Sequence, residues 1–375
     1  MCFILGAEVQ SATVADFGAY TFFVGLRGKI KVTSISKPDE TRARGIERIF
    51  QRAGHPESRA LIVDSKNQAI YDSGNSSLPI QLTGVTKLFT LALVLRDIDR
   101  GAFNLETRIS DILPSELISG LCVVDGQDHS SRVTIEHLLS HRSGIPDFMA
   151  PISSKDRPLI RQILDQDRGW SLDQALEISR HYSGVFVPGH KSRASFSSTN
   201  FLLLGAVLRD ITGMTYDELI RLRVIGSLGL KGTYVFRPEH YEKYFTYAPI
   251  SLESEVIRVP KALASSEADG SIISTPRDTV RFFSALWRGE LFDEKWIPKI
   301  FQDSLKAKKM CRIGLGVMVA PRQKKSPSVV GHAGISGTAV GVDPKNRNVA
   351  FMSTCSWTPL RESFETLGKL LQEVK

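Results

Sequence analysis

Cysteine is scarce in this chain: Cys2, Cys122, Cys311 and Cys355 are the only four thiols in 375 residues. None forms a Cys-x-x-Cys pair or has histidines spaced for zinc, so free thiols are the expectation and neither a metal nor a cofactor is implied. Long apolar runs are lacking too. The opening Met1-Cys2-Phe3-Ile4-Leu5-Gly6-Ala7 has no basic flank and meets Glu8 at once. That argues against a signal peptide or membrane span and for a cytoplasmic protein without a membrane partner. No internal repeat or low-complexity tract is present, as expected of an ordinary globular chain and not of a solenoid. Negative charge is in deficit, leaving a formal net charge of +8, yet the basic residues are dispersed. The densest runs, Lys306, Lys308, Lys309, Arg312 and then Arg322, Lys324, Lys325, have no interleaved aromatics. They read as solvated loops able to attract an acidic substrate, not as a nucleic-acid surface. What is there is an ordinary globular composition, long enough to bury a large core.

One further absence concerns chemistry. Leu82-Thr83-Gly84-Val85-Thr86-Lys87 opens an apolar helix that runs on through Leu88, Phe89, Leu91, Leu93, Val94 and Leu95. Lys87 therefore sits in a stretch that wants to be buried, and a buried ammonium costs several kcal/mol unless paired or neutralised. A Ser-x-x-Lys would make sense of that cost. Positions i and i+3 share a helix face, so the lysine can take the serine's proton while the helix N-terminus favours developing negative charge. Here the lysine stands and residue 84 is Gly.

Five ordered blocks surround this feature. The first runs from Arg59-Ala60-Leu61-Ile62-Val63 through the Lys87 helix to Gly101-Ala102-Phe103-Asn104-Leu105 and Ile112-Leu113-Pro114. The second is Val133 to Pro146, with His141-Arg142-Ser143-Gly144. The third is Pro188-Gly189 followed by Phe196-Ser197-Ser198-Thr199-Asn200. The fourth is Glu267-Ala268-Asp269-Gly270 to Ser274-Thr275 with Asp278, and the last is Gly331-His332-Ala333-Gly334-Ile335-Ser336-Gly337. Together they resemble the penicillin-binding protein and class C β-lactamase superfamily of serine hydrolases, a far more specific match than one short motif. The resemblance implies an α+β fold of the β-lactamase/DD-peptidase type: an antiparallel sheet flanked by terminal helices, with an inserted all-helical region and the site in the cleft between them. Carried over residue by residue, the family's nucleophilic Ser falls on Gly84, its Tyr on Phe196 and its Asn on Ser198. Lys87 and His332-Ala333-Gly334 survive.

The organisation expected is an N-terminal extension over 1–37, with a hairpin around Ala19–Phe23 and Lys29–Ser34, then a β-lactamase-like domain over 38–375. Its α/β part covers about 38–82 and 234–375, its helical part about 83–233. Asp39 to Arg52 reads as a charged helix on the sheet, and Leu61-Ile62-Val63 with Ala69-Ile70-Tyr71 as a central hairpin. Helices are expected at 134–140, 157–166, 171–181, 199–212 and 216–226, the fourth ending at Thr212-Gly213. Strands are expected at 313–319, 328–332, 338–342 and 348–352, with a closing helix Leu360 to Glu373.

For the site, the resemblance implies oxyanion donors at the N–H groups of Gly84 and Ile335, which survive any side-chain change. Lys87 and His332 are the candidate catalytic groups. Ser198 is the candidate for a displaced nucleophile, and Gly334 and Phe196 are candidate binding residues, the Phe196 ring as a cleft wall. His141 and Ser143 read as structural. Thr83 and Thr86 are turned about 100° away on the helix and cannot replace a hydroxyl at 84. Each candidate also has a bland reading. Lys87 can be a relic held by Ser198 and a backbone carbonyl, whereas a proton-transferring Lys87 replaced by Ala would leave mainly a cavity; His332 can be a satisfied strand histidine. A lone Ser→Gly could be a laboratory change, whereas three departures in two blocks look like divergence. Three functions follow: an enzyme of small-molecule metabolism using Lys87 and His332 for non-acyl chemistry, a hydrolase or acyltransferase with a moved nucleophile, or a non-catalytic binding protein. The partner expected is a small-molecule substrate, such as an ester, amide or carboxylate, the third function allowing a ligand or a binding partner instead, and the oligomeric state is left open.

Overall fold

The computed structural model describes residues 40–52, 58–150, 158–307, 311–320 and 329–374. The expected hairpin within 1–37 lies outside the described residues. Helix α1 (Glu40–Arg52) precedes strands β1 (Arg59–Val63) and β2 (Ala69–Asp72). After β3 (Ile80–Gln81) the chain enters α2 (Thr86–Asp99) and a mostly helical region containing α3 (Thr199–Thr212). It returns through β4 (Tyr234–Val235), β5 (Ile272–Ser274) and α4 (Pro276–Trp287). The remaining strands are β6 (Leu305–Lys306), β7 (Arg312–Ile313), β8 (Met318–Ala320), β9 (Val329–Ala333), β10 (Thr338–Val342) and β11 (Val349–Ser353), and α5 (Leu360–Glu373) closes the fold.

The main sheet is antiparallel, in the order β6-β7-β8-β9-β10-β11-β1-β2. Strand alternation divides its residues between two cores. Ala60, Ile62, Val329, Ala333, Ala339, Ala350 and Met352 pack under α1 and α5, against Ile46, Phe50, Phe364, Leu367 and Leu371. Leu61, Val330, Val340 and Phe351 face the other way, toward α2 and α4. His332 pairs in register with Val340 and so points to that second side. β3, β5 and β4 form a second, three-stranded sheet at the join with the helical region.

Helix α2 is apolar nearly all round and is buried accordingly. Its Phe89 ring stacks on Phe282 of α4 with centroids 3.6 Å apart and planes 5° from parallel, tying the central helix to the layer on the sheet. Phe89→Ala should therefore cost about 3–5 kcal/mol of unfolding free energy, read from the midpoint of a denaturant titration at unchanged slope. A loss under 1 kcal/mol would mean that α2 is not the core of the molecule.

Three expectations need correction. The hairpin of β1 and β2 is not central: β1 pairs with β11 on one side, and β2 is the sheet edge. Local alternation does not encode strand order. The segment 313–319 is a hairpin, not one strand. Gly314 N–H donates to Val317 O at 2.9 Å and Gly316 takes φ +72°, which folds β7 back on β8. The inserted region is also not wholly helical, because Val123–Val124 pairs with Gln127–Asp128. The helices expected there were placed well, Thr199–Thr212 to the residue with Gly213 at φ +67° as its stop.

Candidate functional site

The site is assembled where α2 begins. Leu82 N–H donates to Ile272 O of β5, and residues Thr83–Val85 make a single 3₁₀ turn before α2. Thr83 sits at φ +43°, and its Oγ1 lies 3.1 Å from Ser336 Oγ, whose hydroxyl also donates to Gln81 O at 2.9 Å. This stitching draws the turn against the end of β9. A Cβ placed on Gly84 would lie 2.5 Å from the carbonyl oxygen of Ala333 and 3.3 Å from Gly334 Cα. Both neighbours are backbone, so neither gives way cheaply. Gly334 is equally confined, its missing Cβ position falling onto Thr83 Oγ1 and Leu82 O. Residue 84 is thus glycine for a packing reason.

One turn on, Lys87 is 2% exposed. Its ammonium meets Asp269 Oδ1 at 2.5 Å and donates to the Asp269 carbonyl at 3.1 Å. The rings of Phe196 and Phe201 flank it at 5.2 and 5.5 Å. Asp269 lies on the short helix Glu267–Gly270, packed against α2 and α3. Burial raises its carboxyl pKa, while the Lys87 charge and hydrogen bonds from Lys87 and Ser198 pull it back down. A second carboxylate faces the same space. Asp147 Oδ1 accepts the N–H groups of Ser198 (3.1 Å) and Met149 (3.2 Å). Burial, and then the charge of Asp269, raise its pKa to about 6 against the opposing amides and Lys87.

These groups border one cavity of about 280 Å³. Gly84, Lys87, Asp147, Ser198, Asp269 and Ile335 form its polar end, and Phe196, Trp170, Trp357, Ile163 and Leu263 belong to its apolar walls. Lys87, Asp147 and Asp269 are the ionisable side chains that line it among the described residues.

Of the residues singled out from the sequence, Gly84, Lys87, Phe196, Ser198 and Ile335 converge on this cavity, and Gly334 backs the turn at Thr83. His332 does not line it. It borders a narrow void with His141, Val317 and Met318, and Phe196 lies between that void and the cavity. Burial and then the Lys87 charge push the His332 pKa down to about 3, leaving a neutral imidazole. His141 is likewise neutral, for burial and the same ammonium. Its Nδ1 accepts Ser197 N–H at 3.1 Å, lies 3.1 Å from Asn200 Nδ2, and its ring stacks on Phe196. The sequence reading did not select Asp147 or Asp269. A signal existed, since a buried Lys87 calls for an anion and Asp269 sits among small residues of the fourth block.

A family model, Beta-lactamase, matches residues 79–373. The chain belongs to the β-lactamase family. Among curated relatives, penicillin-binding protein 4 of Amycolatopsis lactamdurans is 31% identical over 151 residues, 40% of this chain and 34% of that protein. Penicillin-binding protein 4* of Bacillus subtilis (strain 168) is 25% identical over 232 residues, 57% of this chain and 46% of that protein. The match therefore spans less than half the length of either relative. A D-stereospecific amidohydrolase from Streptomyces sp. superposes with a TM-score of 0.69 at 20% identity, covering 88% of this chain and 97% of that one. At that identity the likeness speaks for the β-lactamase/DD-peptidase fold alone. Among the described residues no cluster of three or more His, Cys, Asp or Glu is placed to hold a metal ion, and no helix is long and apolar enough to cross a membrane.

Proposed function

We propose that this chain is an enzyme of small-molecule metabolism that has left the acyl-enzyme route and performs proton transfer, the chemistry of a lyase, isomerase or cyclase. The observation that carries the reading is the Ala333 carbonyl standing 2.5 Å from where the Cβ of a residue-84 nucleophile would be. Beside it an ion pair, Lys87 and Asp269, lines the same cavity as Ser198. In this reading Lys87 acts as the acid and Asp269 as the base, with Ser198 relaying the proton to a substrate atom. The N–H groups of Gly84 and Ile335 hold the substrate oxygen on which negative charge develops. His332 supports Phe196 from behind and does not touch substrate. The expectation of an intracellular protein stands with this reading as a proposal.

The test is untargeted metabolite profiling of purified protein with cell extract, beside the double variant Lys87→Met/Asp269→Asn. Removing both charges together leaves the net charge of the interior unchanged, so the fold should survive while turnover falls by about 10²–10⁴, the scale of acid–base groups. Turnover undiminished in the folded double variant would refute the assignment. A metabolite retained by the wild type without turnover would favour a binding protein.

A second reading has one observation behind it. Ser198 lines the cavity together with the Asp147 and Asp269 carboxylates, as a nucleophile placed beside its base would. A moved-nucleophile hydrolase or acyltransferase would become acylated on Ser198.

A further inference from the structure

Asp147 is the ionisable group of the cavity that proton transfer through Lys87 and Asp269 leaves unused. Its Oδ1 is committed to the amides of Ser198 and Met149, and no hydrogen bond reaches Oδ2 among the described residues. The nearest cation is spoken for. Lys87 is neutralised by Asp269 at 2.5 Å and held further by that residue's carbonyl and two aromatic rings. His141 and His332, which flank Lys87 from the helical side and from the sheet, are both held neutral. With both aspartates ionised, the described residues that line the cavity therefore carry one negative charge more than positive. Asp147 is only partly buried, so its free oxygen is open to the cavity, and a cation that enters gives that carboxylate an opposite charge beside apolar walls. The walls suit an apolar body, and the indoles of Trp170 and Trp357 line the same space.

We propose that the cavity binds an apolar small molecule through a protonated amine, with Asp147 as its counter-ion and Trp170 and Trp357 as its aromatic walls. A carboxylate ligand would find Lys87 already paired and would face two like charges. A neutral ligand would leave Asp147 uncompensated. The inference rests on the cavity of the proton-transfer reading but not on turnover. If amine binding fails while turnover persists, only the amine is refuted; if turnover fails while amine binding persists, only the proton-transfer reading is.

The pH dependence has a fixed sign. The amine pairs with ionised Asp147, whose carboxyl is raised to about 6 by burial and then by the charge of Asp269, against the Ser198 and Met149 amides and Lys87. Affinity is flat above that value and falls about tenfold per pH unit below it.

The experiment is calorimetric titration of the full chain with 2-phenylethylamine, 2-phenylethanol and 3-phenylpropanoate at pH 7.5 and pH 5, with tryptophan fluorescence as a second readout. The amine should bind about ten- to a hundredfold tighter than the alcohol, the scale of a charge-assisted hydrogen bond, and the carboxylate should bind weakest. Asp147→Asn keeps the Oδ1 acceptor for both amides and removes a charge whose ionisation burial disfavours, so its melting temperature at pH 7.5 should be no lower than the wild type's while the preference for the amine vanishes. Equal binding of the three probes, a tighter carboxylate, no amine binding, or an amine preference that survives Asp147→Asn would overturn the proposal. The probe series on the unaltered chain decides it even where the variant folds poorly.

Discussion

Lys87→Ala is expected to lose about 3–5 kcal/mol of unfolding free energy, enough to threaten folding at growth temperature. The lysine is 2% exposed and is the direct counter-charge of Asp269, itself only 9% exposed. Deleting the cation leaves a buried carboxylate with no opposite charge in contact, which costs far more than the cavity left by a truncated side chain. The sequence alone led to the milder expectation of a cavity, because the partner lies 182 residues away in the chain. Two controls separate the causes. Asp269→Asn in the Lys87→Ala background should recover most of the loss, since the orphaned charge is then gone. Lys87→Ala alone should also recover as pH falls, because Asp269, its pKa already raised by burial, can then take up a proton and become neutral. Denaturant titrations at neutral and acid pH check both. A loss near 1 kcal/mol with no recovery in the double variant would mean that the pair is not formed.

The contrast shows which parts of the site are legible in one dimension. Helix α3, the closing helix Leu360–Glu373 and the Gly213 stop were legible because periodicity and end signals are local. Lys87 stood out for the same reason, as a charge inside an apolar helix. Strand order was not legible, so the β1–β2 hairpin was read as central although it forms the sheet edge. Asp147 and Asp269 escaped selection because each looks like an ordinary surface acid until folding brings it to the lysine. His332 borders the neighbouring void and not the cavity itself. Its strand register turns it to the correct side of the sheet, but Phe196 intervenes, a matter of packing depth that no motif encodes. Gly84 was recognised as an absence, and its reason emerged only in three dimensions, from the approach of the Ala333 carbonyl.

That approach gives the account its sharpest consequence. If residue 84 had merely lost its hydroxyl, restoring it would restore acylation, because Lys87 and the N–H groups of Gly84 and Ile335 would be waiting. The geometry says otherwise. A side chain at 84 must displace strand-end backbone at Ala333 and Gly334 that is itself tied through Thr83 and Ser336. Gly84→Ser should therefore lower the melting temperature and gain no acyl-enzyme chemistry. The direct measurement is intact-protein mass spectrometry of the wild type and Gly84→Ser after incubation with a fluorophosphonate and with benzylpenicillin, with peptide mapping of any adduct. The account predicts an unmodified mass for both proteins with both reagents. An adduct on Ser198 of the wild type, or on the serine introduced at 84, would contradict it.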